Sequence, residues 1–533
     1  MNITVVLSFL FFTLLAAAIS FFKSYRSRRT TTTDFFFANR TNGYLIIGAS
    51  LFFSNISSNQ FIGENESVYI NNMSVIGWGV TSVFAMLIVS EFFIPIYLKM
   101  GVMTTPDFLE KRYDKSTKLF VSIVFLFSYI VNLLPAVLYG GAVAFSSMFN
   151  VPTFLGVSYW ESIWITVFLI GLIGGVYSIA GGFKAITISD SVLSVCMFVL
   201  ALIIPYFGLK YVGDGNIRNG LDLILSSKKE HLNAIGNSAD AVPFSTLFTG
   251  MLIVNLYYWG MEQYIIQQAI AGKSLKDSQK GIALACVAKL FSPLLINVPG
   301  LIAVHMYPSI PNTAEVFPLL VKDVLPAFLI GLTAAVLLGA AITTFNAGLN
   351  SSSTIFVLNL YKPYLEKNKK EKVTEAHLLR AGRLFQIGIS IFAVLLAPFI
   401  IFAQKGFYIY LQKVSVLFSV PIFTIIFIGF ITRKVPALAA KSGLIFFICC
   451  YLASQFLFDI ELHFLHVLAI IFTLTTLLML GIGFFYPMKK PYVLQLDNKV
   501  NITPWKNRRY YYVILLVLMV LIFVVFSPLY LAS

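Results

Sequence analysis

Ser54-Asn55-Ile56-Ser57-Ser58-Asn59-Gln60 interrupts an apolar segment, between residues 45–53 and Phe61-Ile62. Unpaired backbone groups and amide side chains are costly in hydrocarbon unless they line a cavity or coordinate something. A second apolar segment, 251–267, carries a similar interruption at Asn255-Leu256-Tyr257-Tyr258-Trp259-Gly260. Two interrupted helices in corresponding positions of two halves point to the binding site of a solute carrier.

Composition supports a membrane setting. Of 533 residues, 58% are hydrophobic, 15% aromatic and only 11% charged, with a mean hydropathy of +0.85. A soluble domain averages about 25% charged residues. The apolar runs are about 20 residues long, the length of spanning helices rather than of barrel strands. The net charge of +15 is spread over short loops and forms no single patch, which argues for membrane topology and against a nucleic-acid partner. Cys196, Cys286, Cys449 and Cys450 lie inside apolar stretches and read as small core residues. The first run, 3–22, has its basic residues (Lys23, Arg26, Arg28, Arg29) after it, not before it as a signal peptide would.

The twenty-residue criterion gives about fourteen spans: 3–22, 44–70, 76–98, 117–148, 160–180, 187–211, 246–268, 277–304, 326–361, 378–403, 407–432, 435–457, 463–486 and 510–530. Inner loops then hold the basic residues: Lys99 and Lys111 to Lys118, Lys273 to Lys280, Lys362 to Arg383, Arg433-Lys434 and Lys489 to Arg509. Outer loops hold Glu64 and Glu66, Glu161, Glu315, Asp459 and Glu461. This alternation predicts both termini outside a multi-pass cell-membrane protein. Spans two to six and seven to eleven each begin with an interrupted helix, as two inverted five-helix repeats would. The expected organisation is an extra helix and cytoplasmic loop (1–43), a ten-helix core (44–432, with repeats 44–211 and 246–432) and extra C-terminal helices (433–533).

Polar residues at depth carry the functional information. Lys289 lies about nine residues beyond Lys280, in an apolar run. A charge near mid-bilayer costs about 2.5–3.5 kcal/mol on insertion scales, so it should face a cavity, a solute or a partner such as Asn132; the other reading is a snorkelling side chain. Asp190 suits either a cation or proton relay or a helix N-terminal acid favoured by the macrodipole. Thr343, Thr344, Asn346 and Asn350-Ser351-Ser352-Ser353 put hydroxyls and amides on one long helix. They either pack helices closely or, with free carbonyls of a broken helix, ligate a hard cation such as Na⁺. The neutral amides Gln60, Asn132, Asn255 and Gln412 offer donors and acceptors without charge, which suits a polyhydroxylated solute. The five histidines show no nucleophile-base or metal-ligand spacing, and no complete phosphate-cradling Gly-x-x-x-x-Gly-Lys-Ser/Thr loop is present, since Gln267 stands where Gly272-Lys273-Ser274 would need its first glycine.

Several collinear stretches resemble the sodium:solute symporter family, most closely its bacterial sodium/galactose branch. They are Tyr177-Ser178-Ile179-Ala180-Gly181-Gly182-Phe183-Lys184-Ala185, Thr33-Asp34-Phe35-Phe36-Phe37-Ala38-Asn39-Arg40, residues 55–63, 255–260 and 350–356. The resemblance covers almost the whole chain. It implies an all-α, leucine-transporter-like fold, alternating access and Na⁺ as coupling ion. It puts Na⁺ at the carbonyls of Phe53, Ile56 and Ala340 and the hydroxyls of Thr343 and Thr344, where the family more often has serines. It puts solute contacts at Gln60, Ser82, Asn132, Asn255, Lys289 and Gln412, with Tyr258 as a cytoplasmic-side lid. Asp190 matches an acidic position that some members use for a second Na⁺ or for coupling, and Ala347 replaces a hydroxyl found nearby in some relatives. Three residues before Ser82, where the galactose branch has a glutamate, this chain has Gly79. The missing carboxylate is expected to leave a gap beside Ser82 and Gln60. With no mid-membrane arginine, a carboxylate solute such as sialic acid is disfavoured.

The expected function is Na⁺-coupled import of a neutral sugar or sugar-like solute. The alternatives are another small solute (polyol, amino acid, carboxylate or nucleobase), a polytopic membrane enzyme or a transporter-like sensor. The last two lack a reactive cluster and an appended signalling domain. The partners implied are the solute, Na⁺ and the lipid bilayer, with no nucleic acid and no required oligomer.

Overall fold

A backbone crossing hydrocarbon has to satisfy its own polar groups, which long apolar segments achieve as helices. The computed structural model describes residues 2–25, 42–102, 104–368, 374–402, 407–458, 460–493 and 500–533. The stretch Thr33–Arg40 lies outside them. Fifteen segments organise the chain: α1 (Ile3–Tyr25), α2 (Tyr44–Asn55), α3 (Ser58–Ile70), α4 (Met73–Met100), α5 (Lys115–Phe149), α6 (Tyr159–Val212), α7 (Gly250–Gly260), α8 (Gln263–Ala269), α9 (Leu275–Met306), α10 (Ala327–Lys367), α11 (Glu375–Phe402), α12 (Phe407–Ile431), α13 (Ala437–Phe456), α14 (Phe464–Phe485) and α15 (Arg508–Val525). Among the described residues the only β-type pairs are the isolated bridges Asn42–Gly272 and Ser274–Asn501.

Eleven described helices are long and apolar enough to cross a bilayer, and α2 with α3 makes a twelfth, bent by 54°. The expected fourteen are not reached on length and hydropathy. The apolar part of α1 ends at Ile19, and α7 and α8 are only 11 and 7 residues long. The expected turn between spans 160–180 and 187–211 also differs: α6 keeps helical backbone throughout and contains the two apolar spans Tyr159–Ser178 and Asp190–Val212. It is not one straight rod. Gly174 lies against Phe345 and Asn346 of α10, while Leu193 lies against Gly339. Those α10 positions are about 10 Å apart along its axis, whereas a straight helix would separate Gly174 from Leu193 by about 28 Å. The helix therefore bends sharply between its two spans.

The broken pair α2–α3 is enclosed by α5, α6, α9 and α10. Close approach of α2 to α9 depends on two glycines. A Cβ on Gly48 would come within 2.9 Å of the Gly281 carbonyl oxygen, and one on Gly281 within 2.6 Å of Ile47. Small residues let helix backbones approach where lipid supplies no hydrophobic drive to do so. This crossing fixes α9, and Lys289 two turns beyond Gly281, against the broken helix.

Candidate functional site

The first break falls where the polar run predicts it. Ile56 leaves helical geometry (φ −84°, ψ 84°) and Ser57 is extended, so the chain restarts at Ser58. The Ser57 N–H donates to the Asn55 carbonyl at 3.0 Å, and the Gln60 N–H to the Ser57 carbonyl at 3.0 Å. In a continuous helix those two donors would serve Phe53 and Ile56. The break therefore releases the Phe53 and Ile56 carbonyls named in the predicted Na⁺ set. The Thr344 hydroxyl is buried with no hydrogen-bond partner, and Thr343 makes a long 3.4 Å bond to the Ala340 carbonyl and reaches the Asp190 carboxylate. Oxygens from two carbonyls and two hydroxyls are hard ligands, so this donor set fits a hard cation such as Na⁺.

Beside it, Asp190 is fully buried at the start of the second α6 span. Its Oδ2 accepts from Ser50 at 2.9 Å and from Ser54 at 3.0 Å, while Oδ1 has no partner. Gln268 of α8 donates to Ser54 at 2.7 Å, tying the second broken helix to the first. Burial at mid-helix and bonding to α2 do not fit the simple N-terminal acid.

The second break differs from the expectation. Asn255 to Gly260 are all helical in α7, and the interruption lies one step later, at Met261-Glu262. The Asn255 amide turns sideways and donates to Thr81 at 3.3 Å, so it needs no gap in the helix. Glu262 makes the break tolerable. Its carboxylate accepts from the Gln263 N–H at 3.1 Å, from the Tyr257 hydroxyl at 2.9 Å and from the Tyr129 hydroxyl. The freed Met261 carbonyl accepts from Thr105 at 2.8 Å. Sequence reading passed over Glu262, although it is the one acid in residues 251–267.

Between the breaks lies a cavity of about 180 Å³. All six predicted solute contacts (Gln60, Ser82, Asn132, Asn255, Lys289 and Gln412) line it, together with Tyr258 and Thr344. Tyr258 shares a hydroxyl hydrogen bond of 2.7 Å with Tyr264. Trp78 and Tyr408, which sequence reading did not name, also line it, set edge-to-face with centroids 6.3 Å apart. Asn132 donates through its amide nitrogen to Ser415 at 2.7 Å, and no hydrogen bond joins it to Lys289 among the described residues. The lysine is 2% exposed, which excludes snorkelling to the headgroups. The space beside Gly79 is not an open gap: a Cβ there would sit 3.3 Å from Ser292 Oγ and 3.8 Å from Lys289 Nζ.

Glu64 and Glu66, expected in outer loops, are instead buried in α3, at 2% and 3% exposure. Glu66 accepts from Thr313 at 2.6 Å. Glu64 accepts from Gln60 at 3.0 Å, Asn297 at 3.3 Å and Tyr408 at 3.4 Å. The signal that would have found it is its spacing. Four residues after Gln60, it shares that residue's helix face.

Comparison with known proteins agrees with this geometry. The family model described as sodium:solute symporter family matches residues 35–446. The chain belongs to the sodium:solute symporter family. This symporter is 39% identical over 507 residues to the uncharacterized symporter YidK of Escherichia coli K12, covering 95% of this chain and 88% of that one. It is 29% identical over 437 residues to the sodium/glucose cotransporter of Vibrio parahaemolyticus, 77% of each chain. A solved Na⁺-coupled sialic acid symporter in a substrate-bound outward-open state matches 92% of this chain and 99% of its own, with a TM-score of 0.77 at 18% identity, a likeness of fold. The protein is thus a multi-pass membrane transporter of leucine-transporter-like fold, not an enzyme, with Na⁺ as its coupling ion.

Proposed function

We propose that this symporter imports a neutral polyhydroxylated solute, a sugar or a polyol, across the cell membrane by alternating access. One observation carries the reading: one cavity gathers the four amides named from the sequence (Gln60, Asn132, Asn255 and Gln412), the Ser82 hydroxyl and Lys289, beside the first break with its released carbonyls. Amides and hydroxyls in that number match the donors and acceptors of a hydroxylated ring. Among the lining residues no arginine offers a fork for a carboxylate solute. The cotransporter relative of V. parahaemolyticus supports the same substrate class.

In this reading Gln60, Ser82, Asn132, Asn255, Lys289 and Gln412 contact the solute, and Tyr258 closes its cytoplasmic side. Phe53, Ile56, Ala340, Thr343 and Thr344 hold the co-transported Na⁺, and Asp190 tunes that region through Ser50 and Ser54. The transport core is 44–432, with repeats 44–211 and 246–432, and both termini face outward, as the charge alternation supports.

A thermal-shift screen of the purified protein against hexoses, polyols and N-acetyl sugars, in Na⁺ or K⁺, tests the reading. Stabilisation by a neutral member of the panel in Na⁺ and not in K⁺ is expected. Stabilisation only by amino acids, nucleobases or acidic solutes would contradict it.

A further inference from the structure

We infer that Glu64, a carboxylate buried behind the wall of the solute cavity, sets through hydrogen bonds which atoms Gln60, Tyr408 and Gln412 present to the solute, and that its charge offsets Lys289 so that the cavity selects a neutral, hydroxyl-donating solute. The inference rests on the proposed reading of the cavity as the solute site.

The argument starts from what a carboxylate can do. An ionised carboxylate only accepts, so each group bonded to Glu64 has to turn a donor toward it. Gln60 turns its amide nitrogen to Glu64 Oε1 at 3.0 Å. Its own Oε1 is thereby directed away from the carboxylate and left buried without a partner, in a residue that lines the cavity. Tyr408 gives its hydroxyl proton to Glu64, at 3.4 Å, and is left as an acceptor. Gln412 fills that acceptor with its amide nitrogen, at 3.3 Å, so its carbonyl oxygen is also left for the cavity. One carboxylate, outside the cavity wall itself, thus gives two glutamines on different helices the same sense. Both present acceptors, which hydroxyl groups satisfy and carboxylates do not. Asn297 of α9, at 3.3 Å from Oε2, anchors the other oxygen and holds the acid in place.

Charge gives the second half. The Lys289 ammonium makes no hydrogen bond and no ion pair within 4.0 Å to a described residue. Glu64 stands one hydrogen bond behind Gln60 and Tyr408, which line the same cavity as the lysine, and is the carboxylate whose charge reaches it. A lone buried ammonium would attract an acidic solute; one faced by a buried carboxylate does not. Gly79 sits where a side chain would reach the same lysine, since a Cβ there lies 3.6 Å from Cε and 3.8 Å from Nζ. The counter-charge of Lys289 therefore comes from α3 rather than from α4. That leaves the α4 side of the cavity without a carboxylate and Glu64 behind its α3 side, while Glu262, which lines the cavity, is taken up by Tyr129, Tyr257 and the Gln263 N–H.

Because Glu64 acts through its neighbours it is a positioning residue, and its test reads preference rather than activity alone. Wild type, Glu64→Gln and the double variant Glu64→Gln/Gly79→Glu are purified and compared by thermal shift in Na⁺. The panel is D-galactose, D-glucose, myo-inositol, N-acetyl-D-glucosamine, D-glucuronate and N-acetylneuraminate. In Glu64→Gln, binding of the preferred neutral solute is expected to weaken tenfold or more, while D-glucuronate gains at least tenfold relative to D-glucose. The Na⁺ concentration for half-maximal stabilisation without solute stays within twofold of wild type. In the double variant, with a carboxylate returned to Lys289 from α4, preference returns toward neutral solutes. Should Glu64→Gln not fold, Glu64→Met serves in its place, since it also removes the charge and the carboxylate acceptors, and the same direction of shift is expected. An unchanged neutral-to-acidic preference in a folded Glu64 variant overturns the inference and leaves the proposed function standing. Wild type that responds to no neutral member overturns the proposed function, and the inference with it.

Discussion

At Thr344 a single oxygen atom tests the ion site. The hydroxyl is buried and unbonded, so its presence there is favourable only if something occupies its lone pairs. Thr344→Val keeps the shape and removes the oxygen. It is expected to cost about 1–3 kcal/mol in apparent Na⁺ affinity, the range for removing one partner of a buried polar group. The check is the Na⁺ dependence of thermal stabilisation; an unchanged Na⁺ midpoint in a folded variant would remove Thr344 from the site. Lys289→Gln should likewise weaken solute binding by about 1–3 kcal/mol, measured by titration of the best neutral solute at saturating Na⁺. Wild-type affinity in that variant would take Lys289 out of the solute contacts. Among single residues, those with neutral side chains were legible. An amide in an apolar run announces its cost by type alone, and all four predicted amides line the cavity. Of the buried acids, Asp190 was legible from its place in an apolar run, but three others were not. Glu64, Glu66 and Glu262 are tolerated at depth because of tyrosines, amides and a threonine contributed by distant segments, and no local pattern reports such partners.

At the level of elements, the two breaks show what a sequence can reveal. The first was legible because Ser57-Ser58-Asn59 offers nothing apolar to pack and competes with the helix for backbone bonds. The second was displaced, because Asn255 inside α7 looks like a breaker while its amide bonds sideways to Thr81. The actual break at Met261-Glu262 is held by a capping carboxylate and by Thr105 from another segment. Helix starts are more local. Asp114 precedes α5 and accepts from the Thr117 N–H at 2.6 Å and from Lys441 of α13 at 2.8 Å. Partial burial pushes its carboxyl up, but the bonds from Lys441 and Thr117 outweigh that and hold it below its ordinary value. A depressed carboxyl contributes stability fully above its unfolded pKa, about 3.9, and loses it as pH falls through the lower folded value. Asp114→Ala should therefore lower stability at pH 7 by about 0.5–2 kcal/mol, the usual value of an N-cap. The gap between the two proteins should close below about pH 4. Thermal unfolding in detergent across that range checks both; a gap that stays constant with pH would exclude the ionised cap as its source. The α2–α9 crossing is stricter. Gly281→Val places side-chain atoms into Ile47 and should abolish a folded, monodisperse protein by size-exclusion chromatography. Recovery of wild-type yield and stability would mean that α9 can move away from α2.

For the whole molecule, composition and span length were enough to establish a helical membrane protein, because hydrocarbon leaves few alternatives. The number of spans was less secure, since short broken helices and a bent α6 blur any length criterion. The functional consequence belongs to this scale. With the proposed ion site at one break and the proposed solute cavity between both breaks, the two cargoes would share the same elements, so binding of one would favour the arrangement that binds the other. Each Na⁺ crossing the membrane also carries about 2.3 kcal/mol per 100 mV of potential. At one Na⁺ per solute that potential alone supports roughly fiftyfold accumulation. The most direct test is electrical. Proteoliposomes containing the protein are fixed on a solid support and exposed to a jump in the best neutral solute from the thermal-shift panel. We predict a transient carrying positive charge in the direction of the solute when the buffer holds Na⁺, absent when choline or K⁺ replaces it, and shifted to higher Na⁺ concentration by Thr344→Val. Solute uptake of equal size in choline, without charge movement, would contradict the account.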